Sequence, residues 1–234
     1  MTMALEKLSD LFRYCAWDAQ YQDVGHDVSY AFVEEGRKLW IFFQGSNGVF
    51  DWVRNFLFRK KPYKDMEIEY KVHRGFLAAW KEVEDIVIEK VTERENFGQW
   101  RYKYEDITII GYSHGGALAG FCHECVWFHR EDLREKGLRS FGFEAPHFYG
   151  GFKVNPQLKE RWEKFLVIRC GNDIVTHCPP WLFGYCHVGD MMRLQCDPSI
   201  VEKNIPNCVK CHYPEVVYQA LLEWEQARES VNGD

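Results

Sequence analysis

The segment Gly111-Tyr112-Ser113-His114-Gly115 places a serine between two glycines, directly after an apolar, β-branched run that ends at Ile110. A helix rich in small residues is predicted to begin just after it. This G-x-S-x-G pattern is typical of a serine nucleophile held on a sharp turn between a strand and a helix. Glycines suit both flanking positions because larger side chains would collide with the neighbouring strand and helix. We therefore predict that Ser113 is a nucleophile; the alternative is an ordinary glycine-rich turn.

A serine nucleophile needs a base that removes its proton and a carboxylate that orients the base. In one large group of serine hydrolases the acid and then the base follow the nucleophile along the chain. Asp173 is the predicted acid, because it follows a strand pattern at 165–170, at the end where such sheets carry functional loops. The alternatives are that Asp173 is only a turn residue, or that Asp190 or Asp197 is the acid.

Two histidines, His187 and His212, are candidates for the base. His187 lies within 184–189, a segment with a strand-like pattern, and is therefore expected to be packed in place. His212 lies in the loop before the last predicted helix, where an imidazole can approach the nucleophile. We predict that His212 is the base and keep His187 as the alternative.

Acyl-transfer chemistry also needs two backbone N–H groups that stabilise the developing oxyanion. One is predicted to come from His114, at the start of the helix after the nucleophile. The other is predicted to come from Ser46, because the strand pattern before it ends at Gly45, which permits a close backbone approach. The hydroxyl of Ser46 is a further donor. The alternative is that Gly45-Ser46 is a plain turn.

The elements that must position these residues alternate between strand-like and helix-like patterns, which predicts an α/β fold with a central, mostly parallel sheet flanked by helices. Strands are predicted at 28–33, 38–43, 107–110, 138–143 and 165–170 and within 181–194, and helices at 75–91, 114–130, 157–164 and 214–230. The first two strands are separated by Glu34-Glu35-Gly36-Arg37, which predicts a hairpin.

The chain has 234 residues, 46% of them hydrophobic, which suits a single domain over 1–234. Apolar residues near the N-terminus recur at helical spacing, at Leu5, Leu8, Leu11, Phe12 and Cys15. This pattern predicts an amphipathic helix, at about 3–22, that packs on the body of the domain.

Composition excludes several classes of protein. A net charge of −6 argues against nucleic acid as the main partner, and no apolar stretch reaches the roughly 18 residues that span a bilayer. The N-terminal residues lack the basic start and apolar centre of a signal peptide. Nine cysteines, an odd number, cannot all pair within one chain and are interpreted as reduced thiols. We therefore predict a cytoplasmic protein; the alternative is a secreted protein that begins at its mature end.

The segment Cys208-Val209-Lys210-Cys211-His212 matches C-x-x-C-H, the attachment pattern of c-type haem. Covalent haem would take His212 away from the nucleophile, so this interpretation is disfavoured. A structural zinc site that uses Cys208 and Cys211, or a disulfide between them, stays open. We predict no cofactor and no metal in the catalytic site.

Several blocks of the chain together resemble the class 3 lipases, the fungal-lipase-like branch of the α/β-hydrolases. In family order, the blocks are FFQGS (42–46), DWVRN (51–55), VHRGFLAAW (72–80), GYSHGGALA (111–119), FEAPHFYG (143–150), GNDIV (171–175) and GYCHVG (184–189). The resemblance implies an α/β-hydrolase fold, cofactor-independent hydrolysis of acyl esters, and a triad of Ser113, Asp173 and His212. It implies that Ser46 and His114 form the oxyanion hole, and that the histidine at His187 is not the catalytic one.

The chain departs from the family at two places, where Gln44 replaces a frequent arginine and Ala145-Pro146-His147 replaces a glycine-proline-arginine block. Family members often cover the cleft with a short lid after the oxyanion-hole strand, and 49–58 occupies that position here. Its apolar residues, candidates for a lid or acyl groove, are Phe50, Trp52, Val53, Phe56 and Leu57. Such a helix could open at a lipid interface; the alternative is a helix that stays packed on the core.

The resulting functional hypothesis is a serine hydrolase that cleaves carboxylic esters, of acylglycerols or other lipids, through an acyl-enzyme. Its partners would be the ester substrate and, transiently, a lipid interface. One alternative is a short-chain or aromatic-acid carboxylesterase on the same fold. The other is a catalytically idle hydrolase fold that serves as a binding module.

Overall fold

A seven-stranded sheet forms the centre of the protein. The computed structural model describes residues 7–25, 28–45, 59–95 and 101–232. The strands of the sheet are β1 (Gln22–Val24), β2 (Val28–Glu35), β3 (Lys38–Phe43), β6 (Asp106–Tyr112), β7 (Leu138–Phe143), β8 (Phe165–Cys170) and β9 (Asp190–Leu194), and they lie side by side in that order. Two further strands, β4 (Lys60–Tyr63) and β5 (Tyr70–His73), form a separate antiparallel ribbon.

Most of the sheet is parallel. β1, β2 and β3 pair antiparallel, whereas β3, β6, β7, β8 and β9 pair in parallel. Because these strands run in one direction, the segments that follow β3, β6, β7 and β8 all leave the sheet at the same edge. The predicted hairpin between β2 and β3 is present, and the predicted α/β class with a mostly parallel central sheet is confirmed.

Helices cover both faces of this sheet. The α-helices among the described residues are α1 (Leu8–Arg13), α2 (Arg74–Val91), α3 (His114–His129), α4 (Pro156–Lys159), α5 (Asn207–Lys210) and α6 (Pro214–Asn232). Side chains of β3 alternate between the two faces, as a strand requires. Leu39, Ile41 and Phe43 pack on the face covered by α2 and α3, and Trp40 and Phe42 pack on the face covered by α1 and α6. The sheet is therefore buried on both sides.

Three segments differ from the predicted elements. The helix predicted at 157–164 is a four-residue α4 followed by a 3-10 turn, Glu160–Trp162. The segment 184–189 is not a strand and contributes only a bridge between Cys186 and Tyr149. The N-terminal helix is shorter than predicted, because α1 continues as a π-helix that ends at Asp18 and β1 follows.

Within the described ranges, none of the helices combines the length and the apolar character that crossing a bilayer requires.

Candidate active site

Ser113 lies at the junction between β6 and α3. β6 ends at Tyr112 and α3 begins at His114, so the serine alone makes the turn. Its backbone has φ 56° and ψ −123°, in the region of positive φ that non-glycine residues rarely adopt. The Ser113 N–H donates to the carbonyl of Phe143 at 2.9 Å, which ties this strained turn to the end of β7. The surrounding sheet therefore holds a conformation that Ser113 would not adopt alone.

The two glycines that flank the serine allow the turn to pack closely. A Cβ at Gly111 would lie 2.0 Å from the carbonyl oxygen of Gly115. A Cβ at Gly115 would lie 2.2 Å from the carbonyl oxygen of Phe43, at the end of β3. Both distances are far below a van der Waals contact, so only glycine fits at either position.

Three of the predicted residues meet at this turn. The Nε2 atom of His212 lies 2.8 Å from the Oγ of Ser113, although 99 positions separate the two residues. The Nδ1 atom of His212 lies 2.6 Å from the Oδ2 of Asp173. All three side chains are buried. Because an ionised carboxylate only accepts, Nδ1 donates to Asp173 and Nε2 can accept the proton of Ser113.

His212 is held in place by contacts to its ring and to its backbone. The ring of Tyr112 stacks on it, with centroids 5.3 Å apart and planes inclined by 20°. The Tyr112 hydroxyl also donates to the His212 carbonyl. The His212 N–H donates to the carbonyl of Val209 in α5 at 3.1 Å. These contacts orient the imidazole before any substrate binds.

Asp173 is fixed by the loop that follows β8. Its Oδ1 accepts the N–H of Val175 at 3.0 Å, and its carbonyl accepts the Thr176 hydroxyl at 2.8 Å. The next residue, Ile174, donates its N–H to the carbonyl of Cys208 at 2.9 Å. Since Cys208 belongs to α5, that bond connects the loop of Asp173 to the helix directly before His212.

The alternative site residues lie elsewhere. The Nε2 of His187 is 3.0 Å from the carbonyl of Thr176, and its ring centroid is 4.2 Å from that of His147. Burial lowers the pKa of His187 well below its ordinary value, which favours the neutral form of the ring. Asp190 is exposed at the start of β9. Asp197 accepts the N–H of Ser199 at 2.8 Å as the cap of a 3-10 turn.

One of the two residues predicted to form the oxyanion hole, His114, lies directly after Ser113. His114 is the first residue of α3, so its backbone N–H lies at the positive end of the helix dipole. Its side chain is buried, with its ring centroid 5.5 Å from that of Phe76. A Cβ at Gly45 would lie 3.2 Å from the Cβ of Ser113, so the loop after β3 passes next to Ser113. Ser46 and the predicted lid at 49–58 lie outside the described residues.

The cysteines do not form the pair suggested by the C-x-x-C-H pattern. The Sγ of Cys211 lies 3.5 Å from that of Cys196. All nine cysteines lie within the described ranges, and all are free thiols. Both ring nitrogens of His212 are already engaged by Ser113 and Asp173.

The prediction from sequence missed one residue of this site, Glu144. Its carboxyl group is fully buried, and its Oε1 accepts the N–H of Cys170 at 2.6 Å. Oxygen atoms of Glu144 and Asp173 and a ring nitrogen of His212 lie within 4.8 Å of one another. Glu144 follows the strand pattern at 138–143 as Asp173 follows that at 165–170, so the rule that selected Asp173 could have found it.

Comparisons with known proteins find similarity to lipases. A family profile described as lipase (class 3) matches residues 40–183, more than half of the chain. A lipase of Rhizomucor miehei is 28% identical over 160 residues, which are 66% of this chain and 41% of the relative. The secreted mono- and diacylglycerol lipase 1 of Fusarium solani is 29% identical over 160 residues, with 68% and 45% covered. The chain thus spans less than half the length of these relatives.

Solved structures show the same fold. A triacylglycerol lipase whose catalytic centre is described as a serine protease triad superimposes with a TM-score of 0.62 at 22% identity. The alignment covers 78% of this chain and 69% of that lipase. A propeptide complex of the Rhizomucor miehei lipase superimposes with a TM-score of 0.59, also at 22% identity, and covers 88% of this chain and 68% of its own. The predicted α/β-hydrolase fold is confirmed.

The predicted cytoplasmic location is wrong. The similar lipases of Fusarium solani and Malassezia restricta are both named as secreted proteins. The prediction depended on the missing leader pattern and on the odd number of cysteines. Free thiols fit a reducing compartment, but buried cysteines also pack as small apolar side chains wherever the protein functions.

Proposed function

Because the chain belongs to the class 3 lipase family, we propose that it hydrolyses carboxylic esters of the acylglycerol type. The names of the relatives support this substrate class, since they are lipases and mono- and diacylglycerol lipases. The relatives of Fusarium solani and Malassezia restricta, which are named as secreted lipases, support an extracellular location for this chain. The observation that carries the proposal is the pair of contacts of His212, 2.8 Å to the Ser113 hydroxyl and 2.6 Å to the Asp173 carboxylate.

In the proposed reaction, the Oγ of Ser113 attacks the acyl carbon while Nε2 of His212 takes the hydroxyl proton. Asp173 stabilises the imidazolium that forms. When the tetrahedral intermediate collapses, the bond to the alcohol oxygen breaks and His212 returns the proton to the departing alcohol. A water molecule then loses a proton to His212 and attacks the acyl-enzyme, which releases the carboxylic acid and restores the Ser113 hydroxyl.

The oxyanion of each intermediate is proposed to bind to the backbone N–H groups of His114 and Ser46. The position of His114 at the start of α3 supports this role, because helix N-termini favour negative charge. The closeness of Gly45 to Ser113 supports the second donor, because Ser46 follows directly. Removing one such donor typically slows turnover about 100-fold or more.

A lipid interface is the proposed partner surface of this site. The apolar lid candidates Phe50, Trp52, Val53, Phe56 and Leu57 support it through their pattern in the sequence. Exposed apolar side chains add support, because Trp181, Leu182 and Phe183 form a turn on the surface. The ring of Trp181 also packs at 5.2 Å against exposed Phe152, which extends the apolar area.

Labelling with a fluorophosphonate probe tests the nucleophile. The wild-type protein should react at Ser113, and Ser113→Ala should not. A wild-type protein that fails to react would favour an idle binding module.

Hydrolysis of p-nitrophenyl esters of increasing chain length then separates a lipase from an esterase. A lipase should become more active once the substrate forms an emulsion. An activity that saturates below the solubility limit would favour the short-chain or aromatic-acid esterase.

A further inference from the structure

A second carboxyl group lies beside Asp173 in the protein interior. Glu144 follows β7, and Asp173 follows the neighbouring parallel strand β8, so both side chains reach the same edge of the sheet. An oxygen of each lies within 4.8 Å of the other and of a ring nitrogen of His212. Both carboxyl groups are fully buried. Two negative charges this close and this far from water would repel each other strongly.

The hydrogen bonds around Glu144 leave one oxygen unsatisfied. Oε1 accepts the N–H of Cys170 at 2.6 Å, whereas Oε2 is buried and receives no hydrogen bond from the residues that the structure describes. In Asp173, Oδ1 accepts from Val175 and Oδ2 from His212, and each of these oxygens has a second lone pair that can accept another hydrogen bond. A buried oxygen without a donor is unfavourable, but a carboxyl group that carries its own proton becomes a donor.

The Cys170 N–H and the charge of Arg169 favour the ionised form of Glu144, whereas burial and the charge of Asp173 oppose it more strongly. Arg169 is the cation near it, but its Nε donates to Thr176 at 3.0 Å and its guanidinium lies 2.8 Å from His177. The other titratable neighbours are Tyr112, Cys170 and Cys196, and burial raises the pKa of each. Burial and the charge of Asp173 together raise the pKa of Glu144 well above its ordinary value.

The backbone of Glu144 gives independent support. Its φ is 49°, in the left-handed region that favours glycine or asparagine. A glutamate at such a position is strained, and strain of this kind is typical of residues with a functional role.

We propose that Glu144 is a positioning residue that holds a proton on Oε2 and donates it in a hydrogen bond to Asp173. Asp173 is then held against Nδ1 of His212, and the two carboxyl groups carry one negative charge between them. That single charge balances the single positive charge of the imidazolium formed when Ser113 attacks. A second charge would hold the proton on His212 too tightly for return to the departing alcohol, a consequence that rests on the proposed ester hydrolysis.

Infrared spectroscopy tests the proton directly. The wild-type spectrum at neutral pH should contain the carbonyl stretch of a protonated carboxylic acid that is absent from Glu144→Gln, and this band should shift in deuterium oxide. The same comparison with Glu84→Gln, another buried glutamate, should not remove that band. If the wild-type and Glu144→Gln spectra agree in this region, Glu144 is ionised and the proposal is wrong.

Kinetics test the positioning. Glu144→Gln keeps an acceptor for Cys170 and a donor for Asp173, so its kcat should stay close to that of the wild type. Glu144→Gly suits the positive φ but removes the carboxyl group, so its kcat should fall up to about 100-fold while KM changes little. An unchanged kcat in a folded Glu144→Gly protein would overturn the positioning role.

Failure of the proposed ester hydrolysis can be distinguished from failure of the proposal on Glu144. A wild-type protein that neither reacts with a fluorophosphonate nor cleaves any ester would refute ester hydrolysis. The infrared band would still report whether Glu144 holds its proton.

Discussion

At the residue scale, the proposed reactivity of Ser113 depends on where its Oγ points, and the strained turn determines that direction. The positive φ of Ser113 is stabilised by the bond to Phe143 and by close packing against Gly45. His212 then needs no rotation to reach Oγ, because its ring is already stacked on Tyr112. Because the folded protein already fixes this orientation, the entropy cost of ordering the imidazole does not add to the reaction barrier.

The two candidate bases give opposite expectations. His212→Ala should lower kcat at least about 1,000-fold, because within the described ranges His212 is the base hydrogen-bonded to the Ser113 hydroxyl. His187→Ala should keep most of the activity, since His187 contacts Thr176 and His147 instead. Ester hydrolysis by both purified variants measures this. If His187→Ala abolished turnover while His212→Ala kept it, the assignment of His212 as the base would be wrong.

The raised pKa of Glu144 predicts that the stability of the folded protein depends on pH. Its pKa is raised in the folded protein above the ordinary value of 4.5, so folding takes up a proton between that pH and the folded pKa. The stabilisation by Glu144 is therefore complete below pH 4.5 and decreases as the pH rises. Glutamine does not titrate, so the free energy of unfolding of Glu144→Gln should rise relative to the wild type by up to about 1.4 kcal/mol per pH unit.

Urea denaturation of the wild type and of Glu144→Gln from pH 5 to pH 8 measures the difference in their free energies of unfolding. A difference that stays constant over this range would mean that the pKa of Glu144 is the same in the folded and unfolded states.

At the element scale, the site depends on how closely α3 approaches the strands. Small residues on α3 make this possible. A Cβ at Gly116 would lie 2.7 Å from the Cβ of Ala145, and a Cβ at Gly120 would lie 2.4 Å from the ring of Phe148. Because these glycines have no side chains, the helix that presents the His114 N–H can lie close to the residues that follow β7.

Gly115→Ala tests this close approach. The new methyl group would lie 2.2 Å from the carbonyl oxygen of Phe43, and backbone cannot rearrange as a flexible side chain can. We expect a loss of more than about 3 kcal/mol in the free energy of unfolding, or failure to fold. Gly36→Asn is the matched control. No heavy atom lies within 4 Å of a Cβ built at Gly36, and asparagine tolerates the φ of 59° there.

Urea denaturation and fluorophosphonate labelling of both variants provide the measurement. A Gly115→Ala protein as stable and as reactive as Gly36→Asn would show that α3 does not require this contact.

At the scale of the whole molecule, the N-terminal helix belongs to the same packing as the site. Phe12 of α1 is buried, with ring centroids 5.4 Å from Tyr112 and 5.0 Å from Phe143. The Ser9 N–H donates to Glu225 in α6 at 2.9 Å. We propose that residues 1–234 form one domain in which α1 supports the sheet directly beneath the nucleophile.

Phe12→Ala tests this proposal. Removing a fully buried phenylalanine should lower the free energy of unfolding by about 3–5 kcal/mol, and the protein should still unfold in one transition. Trp17→Ala, which truncates a half-exposed ring at the end of the same helix, should have a smaller effect. Circular dichroism and tryptophan fluorescence during denaturation should coincide in both variants. Two separate transitions would show that α1 folds independently of the sheet.

Local patterns predicted much of this molecule. The strands at 138–143 and 165–170 have the predicted bounds, and the turn at Ser113 and its glycines lie where the motif places them. These features depend on residues a few positions apart, whose periodicity and size are visible in the chain. The error at 184–189 has the same origin, because an apolar run was interpreted as a strand without knowing what it packs against.

The contacts that matter for chemistry were decided by the tertiary structure. His212 meets Ser113 across 99 positions, and Glu144 meets Asp173 because β7 and β8 are neighbours in parallel register. The sequence supplied the residue types and the ends of the strands, so it could nominate Ser113, Asp173 and His212. Only the order and direction of the strands brought those ends to one edge of the sheet, where burial makes two nearby carboxyl groups share a charge.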